Sequence, residues 1–95
     1  MNYLGLDLGK RHDYTAIAIV ERLEMMQGYG TARHGHMVVR YLERVPLGTR
    51  YPEVVAQVKR LVSHDQIRGR CQVVVDATGV GEPVVDMLRA ARLGV

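Results

Sequence analysis

Leu4, Leu6 and Leu8 alternate with Tyr3, Gly5 and Asp7 across residues 2–9. A period of two predicts a strand that buries its leucines and carries one carboxylate on the other face. Gly9 to Asp13 is polar and turn-like, and Thr15–Glu21 (TAIAIVE) is apolar on both faces. It reads as a second, central strand, antiparallel to the first across a short hairpin. Residues 23–35 lack periodicity and hold three glycines, which predicts a long exposed connection. A third strand is expected from His36 to about Val45, with Met37, Val39, Tyr41 and Val45 on one face. Val38, Arg40, Leu42 and Arg44 take the other, and two arginines there predict solvent or a sheet edge.

Downstream the period lengthens. Val54, Val58, Leu61 and Val62 recur at helical spacing after Pro52, so residues 52–66 are expected to form an amphipathic helix that stops near Gly69. The run QVVVD over 72–76 reads as a buried strand, parallel to its neighbour because a helix precedes it. Gly79 and Gly81 interrupt the chain, and Pro83 opens a second helix with Val84, Val85, Leu88 and Ala91 as its apolar stripe. The predicted order is β-β-β-α-β-α, an α/β fold with a mixed sheet. A right-handed crossover sets the fourth strand beside the first. Asp7 and Asp76 then lie near one end of two adjacent strands.

Such a pair suits hard divalent cations, since Mg²⁺ and Mn²⁺ take oxygen ligands and keep several waters. Two ions so held activate a water and stabilise the leaving oxygen of a phosphodiester. Without metal the carboxylates repel, and one holds its proton more tightly.

Composition narrows the alternatives. The 95 residues suit one small domain, and 47% hydrophobic with 24% charged residues is globular rather than disordered. The net charge of +3 permits contact with a polyanion without demanding it. With five tyrosines and no Trp or Phe, a stacking platform for single strands is not expected. The single Cys71 excludes an internal disulfide or a multi-thiolate zinc site, and is expected to be buried at a strand start. No signal peptide or membrane-length apolar run is read, so the expected location is cytoplasmic.

The segments YLGLDLGKRHDYTAIAIVE, RYLERVPLGTRYPEVV and VVVDATGVGEPVVDMLR resemble, in order and nearly end to end, the C-terminal nuclease domain of phage terminase large subunits. That domain belongs to the ribonuclease H-like superfamily. D-A-T-G-V-G followed by P-V-V-D is the more specific part; G-x-D-x-G is shared by several families. By this resemblance Asp7 and Asp76 match the first-strand and fourth-strand metal-binding acids. The implied activity is Mg²⁺- or Mn²⁺-dependent cleavage of double-stranded DNA during phage or prophage genome packaging, in the bacterial host cytoplasm. The implied partners of the intact system are the terminase ATPase domain, the small subunit and the portal. The family's core continues into a fifth strand and final helix that bring a third acid. On that pattern residues 1–95 form one partial nuclease domain lacking both, and its unpaired sheet edge favours a homodimer.

Other residues offer further chemistry. Asp13, in the turn after the first strand, is a candidate outer ligand as well as a turn residue. Glu82 and Asp86 read as helix-terminus charge and surface charge. Lys10 and Arg11 are the DNA-backbone candidates, with Arg40, Arg44, Arg50, Arg68 and Arg70 as further cations for phosphate. His12, His34, His36 and His64 read as solvated rather than as a transition-metal site. Two other functions stand against the nuclease. One is half of an actin-like or sugar-kinase-like ATPase, in which Asp7-Leu8-Gly9 is the phosphate turn, although Asp76-Ala77-Thr78-Gly79 has one residue too many for the second such turn. The other is a non-catalytic remnant serving as an interaction module.

Overall fold

A computed structural model describes residues 1–10, 12–26 and 33–95, with backbone alone at 25, 26, 33 and 34. The elements are β1 (Asn2–Asp7), β2 (Ala16–Met26), β3 (Arg33–Arg44), α1 (Tyr51–Val62), β4 (Cys71–Asp76) and α2 (Glu82–Ala90). They form a small α/β domain with a four-stranded mixed sheet in the order β3-β2-β1-β4. β1 pairs antiparallel with β2 and parallel with β4, as the helical crossover from β3 to β4 requires, since β3 runs in the same direction as β1.

The core occupies one face of the sheet. Leu4, Leu6 and Leu8 of the first segment and Ile17 and Ile19 of β2 are buried there, as is Val73 of β4. Val54, Val55 and Val58 of α1 and Val84 and Leu88 of α2 close over them. Both helices therefore cover the leucine side, and the side bearing Asp7 stays open. Pro52 and Pro83 each stand in the first turn of their helix, where a missing N–H costs nothing.

The β1–β2 turn is tied from several directions. The Gly9 N–H donates to the buried Thr15 Oγ1 at 3.0 Å, and the Tyr51 hydroxyl donates to the Gly9 carbonyl at 2.8 Å. The Val45 N–H donates to the Thr15 carbonyl at 2.8 Å, which anchors the end of β3 to the same turn.

Four expectations need correction. The expected connection over 23–35 is mostly strand, because β2 runs to Met26 and β3 begins at Arg33; residues 27–32 lie outside the described residues. This ribbon extends past the helices, and the molecule measures 52 × 24 × 21 Å. Leu23, Glu24 and His36 are exposed on it, so no core imposes alternation there.

The faces of β3 also differ from expectation. Ile19 pairs with Tyr41 but Val20 pairs with Val39, which leaves Arg40 as the extra residue of a β-bulge. Beyond the bulge the side chains change faces. Arg40 joins the helix side, whereas Val39 and Met37 join Leu42 on the open face, where Leu42 is 75% exposed.

β4 is an edge strand with one open face rather than a buried strand. Val73 is buried while Gln72 and Val74 face outward, and Cys71 is only partly covered. Finally, α1 ends at Val62 rather than 66, and hydrogen-bonded turns carry the chain through Gly69, whose φ is 76°. Among the described residues no helix is long and apolar enough to cross a membrane.

Candidate metal centre

Asp7 and Asp76 are register partners on adjacent parallel strands. Neighbouring strands run about 4.8 Å apart, and partners in register point to the same face, so the two carboxylates share one local surface. That surface is the open face, and both residues are exposed on it. The alternation of β1 decides this, since Leu6 and Leu8 are buried on the other side. β4 follows the same pleat, with Val73 inward and Val74 and Asp76 outward.

A shallow groove of about 340 Å³ runs along this face, lined by Gly5, Leu6, Asp7, Ala16, Ala18, Val74 and Asp76. Its floor is small because Gly5, Ala16 and Ala18 stand in adjacent register. A Cβ on Gly5 would come no nearer than 4.0 Å to the Ala18 carbonyl, so the glycine leaves open space rather than avoiding a clash.

Asp76 is oriented by the turn that follows it. Its Oδ1 accepts the Thr78 N–H at 3.0 Å and the Thr78 hydroxyl at 2.6 Å. These bonds leave Oδ2 for an additional ligand. The Thr78 hydroxyl bond, then its backbone N–H bond, hold the Asp76 carboxyl below the usual carboxylate range against a small opposing effect of burial. Thr78 was not singled out in the sequence reading. The signal for it is the Asp-x-Thr spacing, which lets a carboxylate accept from the residue two positions on.

The sign of this shift gives a prediction. Because folding lowers the Asp76 pKa, the linked stability is present above the unfolded value, about 3.9, and is lost as pH falls through the folded value. Thr78→Val removes the hydroxyl donor and keeps the N–H, so the Asp76 pKa is expected to rise towards its ordinary value. Carboxyl-carbon NMR titration checks this; an unchanged midpoint would contradict the assigned bond.

The basic candidates separate by position. The Lys10 side chain lies across the turn after Asp76. A Cβ on Gly79, whose φ is 80°, would fall 1.9 Å from Lys10 Cε and 2.5 Å from its Nζ. Arg44 shares a row with the acids, since Arg44 pairs with Ala16, Ala16 with Asp7, and Asp7 with Asp76. Its guanidinium sits over the Tyr14 ring, 4.3 Å from the centroid. Arg11 lies outside the described residues. Arg40 is on the helix side, and Arg68 and Arg70 precede β4 at the opposite end of the sheet from Asp76. Arg50 stands at the N-cap position of α1, with no capping bond from its side chain.

The structure does not bring Asp13 into the carboxylate groove. Its N–H closes a turn on the Lys10 carbonyl at 2.9 Å, and it lines a different depression with Thr15, Arg50 and Met87. Asp86 lies 3.7 Å from Arg89 in a surface pair on α2, and Glu82 stands in that helix's first turn. His12, His36 and His64 are exposed; the side chain of His34 lies outside the described residues. Among the described residues no group of three His, Cys, Asp or Glu side chains gathers to hold a metal.

The donor set that remains is two exposed carboxylates, one of them oriented by the turn after it so that its Oδ2 is left open. These are hard ligands on an open surface, which fits Mg²⁺ or Mn²⁺ with much of the ion's water retained. Compared with family models, with curated proteins and with solved structures, the chain gives no match in any of the three.

Proposed function

We propose that this chain is a ribonuclease H-like nuclease domain of the terminase large-subunit kind, acting on the phosphodiester backbone of double-stranded DNA. The observation that carries the reading is the register pairing of Asp7 with Asp76 on adjacent parallel strands of an open face. The element order β-β-β-α-β-α and the place of β4 beside β1 are consistent with it.

Asp7 and Asp76 would hold the Mg²⁺ or Mn²⁺. When bound, the metal supplies water activation and neutralises charge at the phosphate. Thr78 keeps Asp76 ionised and fixes its orientation. Lys10, across the turn after Asp76, and Arg44, two strands from Asp7, supply positive charge for the backbone phosphates on either side. The groove floor of Gly5, Ala16 and Ala18 lets a phosphodiester approach the carboxylates. In the intact packaging system the same domain would work with an ATPase domain, a small subunit and a portal.

The ATPase reading finds less support. Its phosphate turn would need the backbone N–H groups of Asp7-Leu8-Gly9, yet the Leu8 N–H donates to the Asp76 carbonyl at 3.1 Å and the Gly9 N–H to Thr15.

Metal and duplex DNA should bind cooperatively, because a cation held by Asp7 and Asp76 would offset their repulsion of a phosphate. Fluorescence anisotropy with a short labelled duplex is expected to show about tenfold tighter binding with Mn²⁺. The increment should vanish in Asp7→Asn and in Asp76→Asn. DNA affinity indifferent to Mn²⁺ would refute the nuclease reading. If the chain self-associates instead, the interaction-module reading gains.

A further inference from the structure

A second, roomier cavity lies away from the carboxylates. It is on the helix side of the sheet, near the start of β1, and holds about 690 Å³. That lies within the range of small-molecule sites, about 300–1,000 Å³. Ile19, Leu61 and Ile67 supply an apolar surface, while Arg40, Arg60 and His64 supply polar groups.

The charge in this cavity is unbalanced towards positive. Among the described residues Glu21 is the one carboxylate lining it, and a single oxygen, Oε1, accepts both Arg40 Nε at 3.0 Å and an Arg40 terminal nitrogen at 2.7 Å. Arg60 is held differently. Its guanidinium donates to the neutral Gln57 Oε1 at 2.6 Å, and Gln57 Nε2 donates in turn to Glu43 Oε1 at 3.2 Å. The Tyr41 hydroxyl donates to that same Glu43 oxygen at 2.7 Å. Arg60 is thus held by an amide that is itself fixed, at the rim between this cavity and a depression lined by Glu43 and Glu53, and among the described residues it makes no ion pair.

His64 adds a donor. Its Nδ1 accepts the Gln66 N–H at 3.3 Å, so the neutral ring carries its proton on Nε2 and donates there whether or not the ring is charged. The β-bulge supplies a separate sign of construction. In a regular strand Arg40 would face the open side with Leu42; the extra residue turns it to the cavity side against Glu21. Bulges commonly re-aim a side chain at functional sites.

We propose that this cavity binds a small organic phosphate, with the phosphate on Arg60 and His64 and an apolar or aromatic body against Ile19, Leu61 and Ile67. Guanidinium groups match phosphate geometry, and the cavity is too large and too apolar for inorganic phosphate alone. The site is independent of the carboxylate pair and does not rest on the nuclease reading.

Amide NMR titration with phenyl phosphate, beside inorganic phosphate, tests it. Shifts are expected at residues 60, 64 and 67, with phenyl phosphate binding at least about tenfold tighter than inorganic phosphate. Arg60→Gln, an exposed helix substitution, should weaken phenyl phosphate about tenfold with an otherwise unchanged spectrum. Asp7→Asn should leave it unaltered. Absent binding, shifts confined to other surfaces, equal affinity for the two phosphates, or indifference to Arg60→Gln would each overturn the proposal.

Discussion

Gly9→Ala is expected to destabilise the domain by about 3 kcal/mol or more. The added Cβ would lie 2.2 Å from the Asp13 carbonyl oxygen and 2.6 Å from the Tyr14 carbonyl carbon and oxygen. All three are backbone atoms, so no side-chain rotation relieves the contact. The turn would have to open, and with it the bonds from the Gly9 N–H to Thr15, from Tyr51 to the Gly9 carbonyl and from Val45 to Thr15. Those bonds join the β1–β2 turn to α1 and to the end of β3. Against a total stability of about 5–15 kcal/mol, the loss is a large fraction. Gly5→Ala is the control, because its Cβ would meet nothing closer than 4.0 Å. Urea denaturation should show a large fall in midpoint for Gly9→Ala and little change for Gly5→Ala; equal midpoints would contradict the packing of the turn.

The second large effect concerns the acids. Asp7→Asn and Asp76→Asn are each expected to weaken Mn²⁺ binding by about 100-fold, because each removes one of two unit charges within a few ångströms of a divalent ion. The amide that replaces the carboxylate keeps the shape and offers a poorer ligand. Without metal the outcome reverses. Like charges in register on adjacent strands repel, so Asp7→Asn should raise the denaturation midpoint at neutral pH and low salt, whereas Asp76→Asn also weakens the charge-assisted bonds from Thr78 and should not. A pair of ordinary surface aspartates far apart would show neither effect, so the two signs together mark a site arranged for a cation.

How much of this was legible from the residues depended on which side chains the core selects. The alternation of Leu4, Leu6 and Leu8 is imposed by burial, and by itself it sets Asp7 on the face opposite the leucines. The helical recurrence of Val54 and Val58 was equally plain, and the helix before QVVVD implied the parallel pairing that sets Asp76 beside Asp7. Where burial does not act, the pattern failed. The ribbon beyond Glu21 projects past the helices, so its strands lack alternation and read as a loop. The bulge at Arg40 is one extra residue among Val38, Val39 and Tyr41, and it changes faces without changing composition. In β4, three valines suggested burial on both faces, yet the strand stands at an edge with Val74 outward. The role of Thr78 depends on the turn after Asp76, which the Gly79 position hints at but does not specify. The cavity around Arg60 is assembled from both helix and sheet, and no local motif marks it.

The most direct test of the two-carboxylate centre is a Mn²⁺ titration followed by amide NMR on the wild type and on the two Asp→Asn variants. Paramagnetic broadening is expected to centre on residues 7 and 76, to extend to Gly5, Ala16 and Thr78, and to fall sharply in either variant. Broadening that centres elsewhere, or that persists unchanged when Asp7 or Asp76 is replaced, would contradict the metal centre and the nuclease reading built on it.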